Sequence, residues 1–309
     1  MRARRHNGSV VAGLVLVRYG ELALKSAPVR REFERTLVRN ILAQFRAARA
    51  ECHVRADHGH LYVEAADVVA AVRLLRRVFG VTSVSEVFEV PSEPAAIESR
   101  LLALADVHLP ERASFAVRAR RTGTHPFTSQ ELARVLGAAV LARWPERHLT
   151  VRLEAPDVEL SVEVRGPRTY LSFGREGGPG GLPLGVAGKV VALVDGVRGG
   201  LGAYLMMKRG CRTGIVATRA SESIVREILQ RFDPEGRVEL APDAPETVHP
   251  SLVQLADELH ADGIVLPLQL EEYGEARVRW GDRVVFSPTI AFTDEEVEER
   301  WAGVAAVAA

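Results

Sequence analysis

The sequence predicts an α/β protein whose N-terminal half is α+β and whose C-terminal half contains a parallel sheet. Short apolar runs alternate with segments of helical periodicity along most of the chain, which is typical of mixed α/β domains. Prolines at 91 and 94 and glycines within 174–188 interrupt this pattern. With 309 residues, 47% of them hydrophobic, the chain is long enough for two or three cores. We therefore expect three domains, at 10–83, 84–175 and 176–309.

Six elements predict the first domain. They are a strand at 10–17, a helix capped by Ser26, Ala27 and Pro28, strands at 51–56 and 59–65, a helix capped by Asp67, and a strand at 81–90. Apolar residues of the first helix recur at helical spacing: Val29, Phe33, Leu37, Ile41 and Phe45. The order β-α-β-β-α-β is that of the ferredoxin-like split unit.

The second domain is predicted to be another small α/β unit. Its elements are a helix at about 95–105, a strand at 115–120, a helix to about 141, and strands at 149–153, 158–164 and 168–173. Thr128 and Glu131 stand at the two ends of a capping-box pattern, which predicts that the second helix begins there.

A glycine-rich linker at 174–188 precedes the third domain. Its predicted elements are a strand at 190–194, a glycine-bearing turn, a helix at 200–209, a strand at 213–218, helices at 220–232 and 251–260, and a strand at 263–266. This alternation is typical of a doubly wound parallel sheet, here a reduced one. We expect the acids of 294–300 to form a solvated helix face and the alanine-rich tail 302–309 to be frayed.

Composition excludes several classes of protein. No apolar run approaches the roughly 18 to 20 residues that span a bilayer, and the basic start is followed by too short an apolar stretch for a secretory signal, so we expect a cytoplasmic protein. Cys52 and Cys211 are too few for a disulfide framework or a cysteine metal site, and we expect two packed thiols. No acid or cysteine completes a metal set with His53, His58 and His60, so we predict no metal site.

Charge is distributed unevenly along the chain. The net charge is zero, which argues against a protein that coats nucleic acid indiscriminately. Basic residues nevertheless crowd the first half, whereas acids gather at 294–299. The first half is therefore suited to a polyanion.

The segment from Arg118 to Ser129 carries the strongest sign of binding. Alternation along a strand places Arg118 and Arg120 on one face and apolar residues on the other, and Phe127 follows in a loop. Guanidinium groups beside an aromatic ring suit RNA phosphates and unstacked bases. The alternative is a solvated strand face with no ligand.

The exact sequence of this segment favours the first of the two interpretations. FAVRARRTGTHPFTSQELARVLG, followed by PDVELSVEV at 156–164, closely resembles the THUMP domain of tRNA 4-thiouridine synthases. VRYGELALKS at 17–26 is similar to the start of the same family's ferredoxin-like domain. The resemblance implies a partner, the acceptor end of tRNA, and we expect eight residues to contact it: Arg18, Lys25, Arg31, Arg118, Arg120, Arg121, His125 and Phe127.

The resemblance also implies an ATP site of the adenine nucleotide hydrolase type, but the motif is altered. The family carries Ser-Gly-Gly-x-Asp-Ser at the first strand-to-helix turn, where glycines approach the pyrophosphate and the acid helps to hold magnesium. This chain is one residue shorter there. Aligned from either side, it lacks the acid and the serines of the family motif. A vestigial site is expected at Leu193, Val194, Asp195, Gly196, Arg198 and Gly199, in which Arg198 pairs with a phosphate and ATP binding is weak.

Three functions stay open at this point. The first is a tRNA-binding protein whose ATP domain no longer activates uridine, supporting a separate sulfur-transfer enzyme. The second is an active tRNA sulfurtransferase that makes 4-thiouridine at position 8, and the third is a sulfur-transfer step in thiamine synthesis, which the family also serves. The family's late cysteine is not visible, since residues 267–309 contain none. The resemblance also implies a homodimer.

Overall fold

The computed structural model describes residues 13–20, 26–57, 59–242, 245–274 and 283–309. Its α-helices are α1 Ala27–Ala47, α2 Val68–Leu75, α3 Pro94–His108, α4 Ser129–Arg143, α5 Val197–Lys208, α6 Gln230–Phe232, α7 Pro245–Leu259 and α8 Asp294–Ala308. The strands are β1 Gly13–Tyr19, β2 Cys52–Asp57, β3 His60–Ala65, β4 Val81–Pro91, β5 Ser114–Thr122, β6 Thr150–Val151, β7 Val158–Arg165, β8 Arg168–Phe173, β9 Glu176–Gly177, β10 Lys189–Val194, β11 Arg212–Thr218, β12 Val238–Ala241, β13 Gly263–Val265 and β14 Val284–Phe286. No helix among these residues is both long and apolar enough to span a bilayer.

Two sheets organise the chain. The first has the order β2-β3-β1-β4-β8-β7-β5-β6, with β9 paired to β4. The second has the order β12-β11-β10-β13-β14, and all of its neighbouring strands are parallel. The predicted fold class is confirmed: a β-α-β-β-α-β unit opens the chain, a second α/β unit follows, and a doubly wound parallel sheet lies at the end.

Dense internal contacts divide the chain into two compact units. The first unit contains the start of β1 together with Tyr62–Val72 and Ser85–Glu176. The second contains α1, Arg73–Val84 and Gly177–Ala309. Helix α1 is therefore grouped with the C-terminal sheet.

The core of the first unit lies between one face of the sheet and two helices. Phe115, Leu160 and Leu171 point from β5, β7 and β8 toward the buried side chains of α3 and α4. Strand alternation then directs the neighbouring residues to the opposite face. There, Tyr62 and Tyr170 are in contact, with ring centroids 4.6 Å apart.

Helices cover both faces of the C-terminal sheet. From β10, Val190, Ala192 and Val194 pack on the side of α5 and α8, around Trp301. Val191 packs on the other side, against α7. A strand that is buried on both faces is apolar throughout, which is why β10 has no polar alternation.

Several local expectations were wrong. The tail is not frayed: α8 runs to Ala308, and its Trp301, Val304 and Ala308 are buried. The carbonyl oxygens of Ala308 and Ala309 accept hydrogen bonds from Arg231 (2.9 Å) and Arg77 (3.1 Å), so two cations cap this helix end. Ser26 precedes α1 but makes no side-chain capping bond.

Other elements differ in extent from the prediction. The segment predicted as a helix at 220–232 is a 3-10 turn, a π-helix at Ile224–Leu229 and the short α6. Helix α7 begins at Pro245 instead of 251, and β6 has two residues instead of five. Strands β9, β12 and β14 were not predicted, since they have only two to four residues, too few for a clear strand pattern. The caps at Asp67 and Thr128 are confirmed.

Candidate nucleic-acid interface and nucleotide crevice

Strand β5 positions the arginines of the candidate RNA site. It lies between β6 and β7 and is parallel to both. Phe115 is fully buried against α3 and α4, while Arg118 and Arg120 are exposed, as the alternation predicts. The strand therefore holds two guanidinium groups along one face of the sheet.

The exposed arginines have different surroundings. Arg118 donates a hydrogen bond from Nη2 to the carbonyl oxygen of Leu153, and its Nε lies 3.6 Å from Glu159 Oε2. Arg120 is level with Glu163 of β7, and Glu163 accepts a hydrogen bond of 2.8 Å from Arg165. Arg118 thus also holds the loop before β7, whereas Arg120 is opposite an acid already bound by another arginine.

The loop after β5 holds a histidine and a phenylalanine together. The rings of His125 and Phe127 are stacked, with centroids 5.6 Å apart, and His125 Nε2 is 3.1 Å from the carbonyl oxygen of Thr122. Phe127 is half-buried and packs against the core of the first unit. Arg121 is exposed and donates from Nη1 to the carbonyl oxygen of Gly123 at 3.2 Å. The loop has a defined conformation with basic groups beside an aromatic pair.

A capping box ends the loop. Thr128 Oγ1 accepts from the backbone N–H of Glu131 at 3.1 Å, and Glu131 Oε2 accepts from the backbone N–H of Thr128 at 2.8 Å. The bond from the Thr128 backbone lowers the pKa of the Glu131 carboxyl, and Arg134 and Arg121 add to this effect. The lowered pKa favours the charged carboxylate, which stabilises the N-terminus of α4.

The remaining predicted RNA residues lie elsewhere. Arg18 is half-exposed on β1, and its carbonyl oxygen accepts from Thr82 Oγ1 at 2.9 Å. Arg31 is exposed on α1. Lys25 lies outside the described residues, as does His58. Arg18 and Arg31 both belong to the second unit, while the loop of β5 belongs to the first.

The predicted nucleotide site lies at the topological switch point of the second sheet. Strand β10 is flanked by β11 and β13, and the chain reaches these two neighbours through helices on opposite faces. Gly196 precedes α5. A Cβ at Gly199 would lie 2.6 Å from the carbonyl oxygen of Leu193, so only glycine allows α5 to approach β10 this closely.

Arg198 is directed at the segment that precedes α8. Its Nη1 donates to the carbonyl oxygen of Thr289 at 2.8 Å, and its Nη2 donates to that of Phe292 at 3.0 Å and to Asp294 Oδ1 at 2.7 Å. The Arg198 side chain is only 14% exposed. Its donors are thus used inside the protein.

Asp195 is the acid at the end of β10. Burial raises the pKa of its carboxyl, and the nearby carboxylate of Glu272 raises it further. Glu272 follows β13 and itself accepts from the backbone N–H of Gln269 at 2.8 Å. Acidic groups therefore stand after both strands of the switch point.

The two thiols are packed. Cys211 is buried and donates from Sγ to the carbonyl oxygen of Ala187 at 3.3 Å, and Cys52 is half-buried. Burial raises the pKa of both thiols, which disfavours the reactive thiolate. Within the described ranges, no group of three or more His, Cys, Asp or Glu side chains is placed to hold a metal ion.

Comparison with known proteins agrees with this architecture. The family model of the ThiI ferredoxin-like domain matches residues 14–85, and that of the THUMP domain matches 96–173. A probable tRNA sulfurtransferase of Methanobrevibacter smithii is 33% identical over 270 residues, which are 85% of this chain and 64% of that protein. One from Methanothermobacter thermautotrophicus is 38% identical over 207 residues, 64% of this chain and 51% of the relative.

The chain belongs to the tRNA sulfurtransferase family. It spans about half to just under two thirds of the length of these two relatives. It has, as members of this family do, a ferredoxin-like and a THUMP domain, and the predicted family is thereby confirmed.

Two crystal structures have the same fold as this sulfurtransferase-family chain. A protein from Pyrococcus horikoshii has a TM-score of 0.79 and 25% identity, covering 94% of this chain and 99% of that one. A 4-thiouridine synthetase in complex with RNA and ATP has a TM-score of 0.77 and 22% identity, covering 96% and 86%. At 22% identity, the similarity to the synthetase shows a shared fold and no more.

Sequence reasoning missed two features of these sites. The partners of Arg198 at 289–294 were not foreseen, because they are about 90 residues away. Arg35 and Arg39 of α1 were not included with Arg31, although their spacing of four residues was visible in the sequence.

Proposed function

We propose that this member of the tRNA sulfurtransferase family binds the acceptor end of tRNA and does not activate uridine with ATP. The observation that carries the first part is the end of β5 and the loop after it, where exposed Arg120 and Arg121 precede the stacked rings of His125 and Phe127. Cations contact phosphates, and aromatic faces stack on unpaired bases. The solved 4-thiouridine synthetase of the same fold is itself bound to RNA.

The RNA surface is proposed to comprise all eight residues of the sequence prediction. These are Arg18, Lys25, Arg31, Arg118, Arg120, Arg121, His125 and Phe127. They belong to two proposed domains, a ferredoxin-like domain at 10–83 and a THUMP domain at 84–175, and the proposed nucleotide-fold domain is 176–309. Arg118 is the weakest contributor, because Leu153 and Glu159 already bind its guanidinium.

The loss of uridine activation is proposed from the turn after β10. Arg198, the cation expected to meet a phosphate, is bound to Thr289, Phe292 and Asp294. Burial and the carboxylate of Glu272 both raise the pKa of Asp195, the acid that follows β10, which disfavours the charged form that would bind magnesium. The turn also lacks the serines of the family motif and the acid with which that motif helps to hold magnesium. Leu193, Val194, Gly196 and Gly199 then serve the strand-to-helix turn.

One observation favours the alternative of an active enzyme. The relatives are named tRNA sulfurtransferases, and the solved synthetase holds ATP. In that case, the chain makes 4-thiouridine at position 8 of tRNA or takes part in sulfur transfer for thiamine synthesis. A cytoplasmic location and a homodimer belong to the proposal in either case, and a separate sulfur-transfer enzyme is the proposed partner of a chain that only binds tRNA.

Two measurements test the proposed function. Filter binding at increasing salt is expected to show a preference for folded tRNA over an unstructured RNA of equal length, with affinity falling steeply as counterions are released. Equal affinity for both RNAs contradicts the first part. Release of AMP or pyrophosphate from ATP in the presence of tRNA and magnesium contradicts the second.

A further inference from the structure

Helix α1 presents a row of arginines on its outer face. Arg31, Arg35 and Arg39 are spaced four residues apart, so they lie on one side of the helix over about 12 Å. The side chains of Arg35 and Arg39 are 75% and 69% exposed. Glu32 lies 3.7 Å from both, but exposed ion pairs of this length are weak. Three cations against one carboxylate leave the face positive.

The opposite face of α1 is bound to the C-terminal part of the second unit. Gln44 is buried, and its Nε2 donates to the carbonyl oxygens of Arg231 (2.9 Å) and Phe232 (3.1 Å). Asn40, one turn earlier, donates from Nδ2 to the carbonyl oxygen of Leu184 at 3.0 Å. Five residues separate Arg39 from Gln44, which is about 140° around the helix axis. The helix thus has a charged side and a bound side.

Helix α6, whose carbonyl oxygens Gln44 binds, is itself packed into the core of the second unit. The Phe232 ring lies 5.5 Å from Phe79 and 5.1 Å from Tyr204, measured between centroids. Arg231 Nη1 donates to the carbonyl oxygen of Ala308 at 2.9 Å, which connects α6 to α8. Arg46 of α1 pairs with Glu235 at 2.7 Å. Contacts therefore connect α1 to the segment 231–235 and this segment to α8.

We propose that the nucleotide-fold domain supports α1 as an RNA-contacting helix, with Gln44 and Asn40 as the positioning residues. The three outer arginines contact the phosphate backbone, and the bonds of α1 to Leu184 and to the segment 231–235 hold the helix in place. This inference rests on the proposed RNA binding and gives the domain a role that requires no ATP chemistry. Because coupling is reciprocal, RNA bound by α1 stabilises the segment 231–235 in return.

Hydrogen exchange with and without tRNA tests the coupling. In the wild-type chain, tRNA is expected to slow exchange of the amides at 229–236. The double variant Arg35→Ala/Arg39→Ala is expected to lose this protection, since RNA bound elsewhere on the chain does not act on α1. Unchanged exchange at 229–236 in a wild-type chain that filter binding shows to be saturated with tRNA overturns the inference and leaves the proposed function intact. Absence of any tRNA binding overturns both.

A matched pair of glutamine variants separates positioning from general stability. Gln44→Leu replaces the amide group that donates both hydrogen bonds with an apolar side chain of similar volume. It is expected to weaken tRNA binding by about three- to tenfold, because these two bonds no longer hold α1. Gln254→Leu is the control: Gln254 is exposed on α7, where it donates to Glu258 on the same helix (3.0 Å). It is expected to keep wild-type affinity.

A further variant covers the case in which Gln44→Leu does not fold. Asn40→Ala removes the single bond to Leu184 and is expected to weaken binding about two- to threefold, with a folded fraction verified by melting. Wild-type affinity and wild-type protection at 229–236 in a folded Gln44→Leu or Asn40→Ala protein contradict the positioning role.

Discussion

Arg198 binds Asp294 across 96 positions of the chain, with Nη2 2.7 Å from Oδ1. The same guanidinium binds the carbonyl oxygens of Thr289 and Phe292, so it fixes the segment that leads into α8. An arginine in a turn that resembles a phosphate loop thus has an internal role.

Replacing Arg198 with alanine is expected to destabilise the fold by about 1 to 3 kcal/mol, because two backbone carbonyls lose their donor. Thermal unfolding measures this. Asp294→Ala is the control: its side chain is 84% exposed, so we expect a loss below about 1 kcal/mol. An Arg198→Ala protein with unchanged melting but weaker ATP binding would instead return Arg198 to the nucleotide site.

Arg120→Ala is expected to weaken tRNA binding and to flatten its salt dependence by about one phosphate contact, without a change in melting. The reason is that Arg120 is exposed and faces a carboxylate already bound by Arg165. Arg112→Ala is a control in the same unit, since Arg112 is exposed but precedes β5. Equal salt slopes for Arg120→Ala and wild type would remove this residue from the site.

Phe127→Ala is expected to affect both stability and binding. The ring packs against the core of the first unit, so its loss should cost about 1 to 3 kcal/mol of folding free energy. Because the ring is also proposed to stack on an unpaired base, tRNA affinity should fall while the salt slope stays the same. Melting curves and salt titrations of the folded fraction measure the two effects. Reduced melting with unaltered affinity would show that Phe127 is a packing residue alone.

Asp233 is expected to make stability depend on pH. Burial raises the pKa of its carboxyl, even though Arg212 lies 3.2 Å away and opposes the shift. A carboxyl whose pKa is raised in the folded state binds more protons there than in the unfolded chain. Its contribution to the free energy of unfolding therefore falls as the pH rises above about 4, the pKa in the unfolded chain, and through the pKa in the folded state. The melting temperature of Asp233→Asn relative to wild type should therefore increase from pH 4 toward 7. A constant difference across this range would refute the assignment.

Local patterns in the sequence were sufficient for much of the fold. Helical and strand periodicity depend on neighbours a few residues apart, and they predicted the order of the elements up to β11, except for the two-residue β9, as well as the caps at Asp67 and Thr128. The exposure of Arg118 and Arg120 followed from strand alternation alone. Sequence motifs in β1, β5 and α4 were enough to identify the family.

Only the tertiary structure decided which distant groups meet. Gln44 binds a carbonyl 188 residues away, and Arg198 binds an acid 96 residues away. Such partners are selected by how the helices and sheets pack, and no short sequence pattern records that. The same packing orders the alanine-rich tail, because Trp301 and Val304 gain a buried surface that the isolated segment lacks. The sequence by itself determined the elements and the family, and the packing determined the role of Arg198 and the attachment of α1.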